Sequence, residues 1–395
     1  MEKTDVAIAG GGPVGLALAL YLARAGVDVV VLERDAEINM SPRAMVYLHE
    51  LFADLDAIGM LEPMAQVGAH DVDGFNMWLR RGSEHINLPL LVEDGDPYPF
   101  HIHLGQGEFC RLAVEQLAAY PNARVLFGAE LVAFSDEGDR VTVRYDTAES
   151  STELVAQYLV GADGGRSTVR RGIGATLEGT TWDERFVATN VRYDFGARGF
   201  KSSNMYVDPE LGCIIARITD DGLWRCTYQE SDALPEETVE ERIAPYFARL
   251  LGPDEVVDVV SYRPYRMHQR LATTLRSGRV VLAGDAAHLT NPTGGLGLTT
   301  GLFDVVLLQE ALLAVLQGRS DDRILDEYAA ERARVFSEVS SPSASNFKRM
   351  VYDSHDPEAL EQAVSPIREA SKSVEGQRAF MSNIAVIRSP DLLAG

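Results

Sequence analysis

Gly10-x-Gly12-x-x-Gly15 stands between an apolar run at residues 5–9 (DVAIA) and a helical pattern that reaches about Ala25; Glu33 closes the next apolar run, 28–32 (DVVVL). In this context each residue has a physical task. Gly10 permits a tight turn, Gly12 lets the backbone approach a pyrophosphate, and Gly15 lets a helix lie close on a sheet. Pro13 suits the first helical turn, where its missing N–H is no loss, and Gly26 suits the position just past the helix. The helix N-terminus offers N–H groups and partial positive charge to phosphates. Glu33 can accept from a ribose diol and repels a 2′-phosphate. The pattern alone fits NAD or FAD.

A second segment, Arg279 to Asp304, reads RVVLAGDAAHLTNPTGGLGLTTGLFD, and a third, Gly161 to Ser167, reads GADGGRS. With Arg43 in SPRA and Gln106 ahead of a helical stretch at 109–119, these residues resemble the motifs of the class A FAD-dependent aromatic hydroxylases typified by p-hydroxybenzoate hydroxylase. The resemblance implies FAD. It assigns the ribityl chain to Gly284-Asp285, sets Pro292 beside the isoalloxazine ring, and makes Gly294–Gly297 a close-approach loop opening a helix, with Gly295, Gly297 and Leu298 in the cofactor site. Asp163 falls near the pyrophosphate and is linked with NAD(P)H use; Arg34, beside Glu33, joins the same site. The family often has Asn where this chain has Thr299, so the backbone N–H groups of the following helix are left to stabilise reduced flavin. His288 reads as a packed core histidine.

In that family NAD(P)H reduces the flavin, and oxygen reaches an activated ring through a flavin C4a-hydroperoxide. The implied function is hydroxylation of an aromatic or heteroaromatic small molecule. With a single G-x-G-x-x-G, NAD(P)H must bind as a transient co-substrate rather than in a second nucleotide domain. Candidate substrate contacts are Tyr206, Arg217 and Trp224, with Cys213, Tyr228, Trp78 and His101. Arg217 could pair with a carboxylate or phenolate, and Tyr206 or His101 could help deprotonate a phenol. Sheet packing or a surface position is the competing reading for each.

The elements that must hold these residues alternate in type. Strand, helix and strand open the chain, helical spacing covers about 44–65, and 124–160 reads as a strand meander. A strand-rich block at 185–264 looks like an inserted antiparallel sheet, and a long apolar helix runs from about Gly297 to Leu316. The expected fold is therefore α/β: a Rossmann-like FAD-binding domain (1–70, 100–184 and 265–334), an inserted antiparallel-sheet substrate domain (71–99 and 185–264), and a helical C-terminus (335–395). That last segment either covers the sheet or makes a homodimer contact.

Composition narrows the partners. Of 395 residues 46% are hydrophobic, enough for a sizeable core, and the net charge of -23 repels nucleic acid and anionic membranes. Cys110, Cys213 and Cys226 lack metal or dithiol spacing. Glycines 10, 11, 12 and 26 interrupt the N-terminal apolar stretch, and no other run approaches the roughly 18 uninterrupted apolar residues of a membrane span, so a cytoplasmic protein is expected. A flavin-dependent halogenase would need a W-x-W-x-I-P segment, whereas Trp78, Trp182 and Trp224 stand alone. The same residues are also compatible with a reductase that uses no oxygen, a monooxygenase of non-aromatic compounds or a redox-sensitive binding protein.

Overall fold

In the computed structural model, which describes residues 2–79, 82–92 and 95–393, the run at 5–9 lengthens into strand Glu2–Ala9. Residues 1, 80, 81, 93, 94, 394 and 395, parts of the expected segments 1–70, 71–99 and 335–395, lie outside the described residues. Glu2–Ala9 is flanked by Ser151–Gly161 and Val29–Glu33, and the sheet continues to Val280–Leu282 on one side and Ala123–Phe127 on the other, all in parallel. Both faces are covered. Val6, Ile8, Val29 and Val31 pack into the core holding helices Pro13–Arg24, Gln106–Leu117 and Leu296–Leu316, while Ala7, Ala9, Val30 and Leu32 pack into the opposite one. Strands buried on two sides read as unbroken apolar runs, which is why DVVVL shows no alternation.

Leu296–Leu316 is long and apolar enough to cross a bilayer by length and composition, yet most of it is buried against Pro13–Arg24 and neighbouring elements. The helical spacing at 44–65 divides into a short strand, Val46–Tyr47, a 3-10 turn at His49–Leu51, and helices Phe52–Ala57 and Leu61–Val67. Gly59, at φ 72°, turns the chain between the helices.

The second sheet has eight strands, ordered His288–Leu289, Asp258–Ala272, Leu177–Arg192, Leu223–Ser231, Cys213–Arg217, Ser203–Tyr206, Phe75–Leu79 and Glu84–Leu88. The expected boundaries at 184/185 and 264/265 fall inside two continuous strands of 16 and 15 residues. Their mutual pairing runs from Leu177↔Ala272 to Arg192↔Asp258, with irregularities between Thr181 and Arg185 and between Asn190 and Val191. Helix Val239–Leu251 packs on one face of this sheet. The C-terminal helices Ser341–Tyr352 and Pro357–Ala370 pack by Met350, Val351, Tyr352, Val364 and Ile367 with the strands Phe75–Leu79 and Glu84–Leu88. The C-terminal segment thus covers this sheet.

A buried carboxylate ties these parts together. Asp304, on Leu296–Leu316, accepts from the Gly284 N–H at 2.8 Å, from His288 Nε2 at 2.8 Å and from Arg332 Nε at 2.7 Å. Arg332 also donates to the carbonyls of Ile387 and Thr300 and to the Ser389 hydroxyl. His288 is a packed histidine, stacked on Phe336, and its partner is Asp304. Burial pushes the Asp304 carboxyl up, but His288 and Arg332 outweigh it and hold the group below its ordinary value. Its contribution to stability is therefore complete at neutral pH and lost only as pH falls below the usual carboxylate range. Asp304→Ala should cost about 3–5 kcal/mol, because it strands a buried guanidinium. Urea unfolding at pH 7 measures the loss, and adding Arg332→Met should recover part of it.

Candidate active site

A cavity of about 1960 Å³ lies between the two sheets. Gly10, Gly12, Pro13, Glu33 and Arg34 line it at the ends of the first two strands, Arg43, His101, Gln106 and Asp163 line its middle, and Gly284, Asp285, Pro292, Gly295, Gly297 and Leu298 line it from the second motif. The glycines divide as their tasks require. A Cβ on Gly10 would meet the Ala162 carbonyl oxygen at 2.3 Å, and Gly10 itself sits at φ 107°. A Cβ on Gly15, which does not face the cavity, would lie 2.1 Å from the Gly10 oxygen, so this glycine serves helix–strand contact. A Cβ on Gly12 would meet nothing within 4 Å: the space before it is the cavity.

The carboxylates are held by backbone. Glu33 accepts from the N–H groups of Gly11 (2.7 Å) and Asp35 (2.8 Å), which aims it at the glycine turn. Asp163 Oδ2 accepts from Thr168 and Val169 N–H, while its buried Oδ1 has no partner among the described residues. Asp285 opens into the cavity beside the Gly284 turn; enclosure by protein pushes its carboxyl up, partly offset by His288 and Arg43.

The loop from Thr290 to Gly295 is pinned to the antiparallel sheet. Gln269 Oε1 accepts from the Asn291 N–H and side-chain amide, both at 3.1 Å, and the Gly295 N–H returns to the Pro292 carbonyl at 2.9 Å. Thr299 donates its hydroxyl to the Gly295 carbonyl at 3.2 Å and is fully buried, so the residue that departs from the family pattern turns into its own helix. The helix N-terminus at Gly295, at φ 68°, carries no side-chain cap.

The substrate residues expected from the sheet lie elsewhere. Tyr206, Cys213, Trp224 and Tyr228 pack with helix Val239–Leu251 on the far face, and Trp78 joins that cluster while its indole donates to Asn204. Arg217 is held by the His70 carbonyl, Ser202 and Asp220 outside the cavity. The cause is parity. Tyr206↔Cys213↔Tyr228↔Val187 form one rung, all directed away from the cavity, and the next rung, Met205↔Ile214↔Thr227↔Ala188↔Arg263, lines it. A shift of one residue exchanges the faces. Arg225, Arg263 and Tyr265 are the functional candidates this exchange concealed; the polar Arg225 and Thr227 within LWRCTYQ were the available signal.

His101 does line the cavity. Its Nδ1 accepts from the His49 N–H at 2.9 Å, leaving the proton on Nε2, and burial lowers it to about 4. Nearby, His103 Nδ1 donates to the Arg217 carbonyl at 2.6 Å, and its Nε2 lies 3.1 Å from Ser203 Oγ and 3.3 Å from the buried Asp71.

Glycine cradle, enclosed aspartate and pinned loop meeting at one cavity are the parts of a flavoprotein oxidoreductase. A family profile described as FAD binding domain matches residues 3–342. The 6-hydroxy-3-succinoylpyridine 3-monooxygenase of Pseudomonas putida is 41% identical over 381 residues, covering 95% of this chain and 96% of that protein. The para-nitrophenol 4-monooxygenase of a Pseudomonas species is 39% identical over 358 residues, 89% of this chain and 88% of that one. The crystal structure of p-nitrophenol 4-monooxygenase from Pseudomonas putida superposes with a TM-score of 0.93 at 36% identity, covering 98% of this chain and 99% of the other. The chain belongs to this family of FAD-dependent aromatic hydroxylases. The residues fit the cofactor: the space before Gly12, which a Cβ would fill, opens on the cavity, and Asp163, whose buried Oδ1 has no hydrogen-bond partner among the described residues, lines it.

Two outcomes follow from this geometry. Gly12→Val should fold with near-normal stability and retain no FAD, whereas Gly15→Val should fail to fold; thermal unfolding and flavin absorbance distinguish them. His101 should stay a neutral Nε2–H imidazole until pH approaches about 4, read by ¹⁵N shifts of the ring. Because the unfolded chain takes up this proton at the ordinary value of 6.5, the site destabilises the fold increasingly as pH falls from 6.5 toward about 4.

Proposed function

We propose that this enzyme hydroxylates an aromatic or heteroaromatic ring held between the Pro292 loop and the cavity face of the antiparallel sheet. The observation that carries the reading is the continuity of one cavity from the glycine cradle, past Asp285 and Pro292, to Arg225, Arg263 and Tyr265. In this reading Gly10, Gly12 and Pro13 hold the pyrophosphate, Glu33 and Arg34 flank the adenosine, Arg43, Gln106, Asp163 and Asp285 hold the linker, and Pro292 to Leu298 border the ring. Bound FAD, reduced by NAD(P)H, supplies activation of dioxygen and transfer of one oxygen atom.

The chain's own residues orient the substrate and exclude water. Phe75, Met205, Ile214, Phe347, Met350 and Phe380 give an apolar wall suited to a ring. Burial pushes the Tyr265 hydroxyl up, with Arg225 and Arg263 offsetting part of the shift, so it remains a protonated donor at neutral pH. The ring hydroxyl or ring nitrogen of a substrate is the natural acceptor. The relatives' named substrates, a hydroxylated succinoylpyridine and a nitrophenol, support this class. Three buried free thiols are consistent with a cytoplasmic setting, and a homodimer is compatible with the remaining exposed surface.

With a suitable ring compound, NAD(P)H oxidation should accelerate at least about tenfold, with a product heavier by one oxygen atom. Pro292→Gly should loosen the ring loop and replace product by hydrogen peroxide while NAD(P)H consumption continues, because water gains access. Mass spectrometry and a peroxide assay read both. Stoichiometric reduction of a substrate double bond without oxygen uptake would replace hydroxylation by a reductase reading.

A further inference from the structure

The cavity, at about 1960 Å³, exceeds the roughly 300–1,000 Å³ of an ordinary ligand site, and part of its wall comes from the C-terminal helices. Ala359, Gln362, Ala363 and Pro366 of helix Pro357–Ala370 line it while being exposed. Residues that do both mark an opening. From the Pro292 loop a row of half-buried phenylalanines runs to this outer side, each supplied by a different element. A Cβ on Gly294 would lie 3.0 Å from Phe347 Cδ2, so the Phe347 ring rests on the loop. The Phe75 ring centre lies 6.0 Å from that of Phe347 and 5.9 Å from that of Phe380, tilted by 43° and 51°. All three side chains line the cavity.

The supports of the row are held unequally. Lys348, 1% exposed, ties helix Ser341–Tyr352 to Glu184 at 3.2 Å and to Asp353 at 2.8 Å, and Arg368 ties Pro357–Ala370 to Glu84 at 2.8 Å. Beyond helix Val374–Ala385 the chain is fixed again, by Arg332 on the Ile387 carbonyl and Ser389 hydroxyl and by Arg388 on Asp54. The helix between these anchors carries Phe380 and Met381 on the cavity wall. Among the described residues its side-chain hydrogen bonds stay local, from Gln377 to the Ser371 carbonyl and from Ser382 to the Ala379 carbonyl. It is a strap fastened at both ends. An element with so few distant ties is displaced at lower cost than a core helix. We propose that Phe75, Phe347 and Phe380 form a gate through which the ring substrate reaches the Pro292 loop, opened by displacement of helix Val374–Ala385, and that its width selects single rings over fused ones. Aromatic faces pass a flat apolar ring and, when closed, shut out water. The identity of the passing compound as a ring rests on the hydroxylase reading; the gate rests on the phenylalanine row and the strap.

The test is the rate of ligand entry into oxidised, FAD-loaded enzyme, followed by stopped-flow perturbation of the flavin absorbance without turnover. The probes are 4-cyanophenol and 4-cyano-1-naphthol, which carry the same groups on one ring and on two fused rings. A gate changes association and dissociation together and leaves the dissociation constant nearly as it was, whereas loss of a wall contact raises dissociation alone. In the wild type the naphthol should enter at least about tenfold more slowly than the phenol. Phe380→Ala should speed its entry and its exit by about fivefold or more, with FAD retention and unfolding temperature unchanged. Phe380→Leu should fall between, and Phe380→Trp should slow both probes. Phe347→Ala supplies a second variant should Phe380→Ala fold poorly, and should speed naphthol entry likewise. Equal entry of the two probes in the wild type overturns the gate, as does a Phe380→Ala enzyme in which only dissociation changes, or the absence of any flavin perturbation by either probe. Gated entry in an enzyme that adds oxygen to no ring compound upholds the gate and overturns hydroxylation instead.

Discussion

The carboxylate of Asp304 receives hydrogen bonds from three directions, and each direction is a different part of the enzyme. The Gly284 N–H belongs to the turn that presents Asp285, His288 to the ribbon entering the antiparallel sheet, and Arg332 to the helix that leads into the C-terminal segment. With all three groups fully or almost fully buried, none can turn to water if another moves. The long helix Leu296–Leu316 therefore has one rotational setting relative to the Gly284 turn. Its N-terminus at Gly295 is aimed into the cavity by that setting rather than by its own capping, which it lacks.

The second constraint is a continuous ribbon. Strand Val280–Leu282 completes the parallel sheet, and only six residues later His288–Leu289 pairs with Arg270 and Leu271 of the antiparallel one. Gln269 then captures Asn291, so the Pro292 loop is tied to the sheet it faces. The distance between cofactor cradle and sheet face is thus set by a short piece of backbone with hydrogen bonds at both ends, a better support for a reacting geometry than a free loop. The helix Ser341–Tyr352 closes the remaining side, with Phe347 and Met350 on the cavity wall.

How much of this was legible in the sequence followed from range. Gly10, Gly12 and Gly15 act on backbone within a few residues, and their spacing announces a strand, turn and helix before any fold is known. Asp285 and Pro292 were found through resemblance, and both face the cavity. Asp304 and Arg332 were illegible as partners because the fold brings them together across 28 residues of helix and turn. His288 read as packed for want of a partner in the sequence; it is packed, with that partner 16 residues away. Tyr206 and Trp224 fall on the helix-covered face for a different reason. Alternation along LWRCTYQ shows that two faces exist but carries no sign for which is inward, and aromatic residues suit a helix-covered core as well as a ring site.

That ambiguity has a physical resolution in the residues of the two faces. The far face, Cys213, Ile215, Trp224, Cys226 and Tyr228, is sealed by Val239, Ile243, Tyr246 and Phe247 of one helix, a packing that leaves no room for a ligand. The near face combines Arg225 and Thr227 with Ala188, Ala216, Ile214 and Met205, all of which line the cavity. This face lines the cavity, whereas the far face packs on a helix. A sheet that buried Arg225 against a helix would carry an uncompensated charge; a sheet that turned Trp224 to the cavity would leave the helix Val239–Leu251 without its apolar floor. The register is therefore fixed from both sides, with Arg225 and Thr227 on the cavity face.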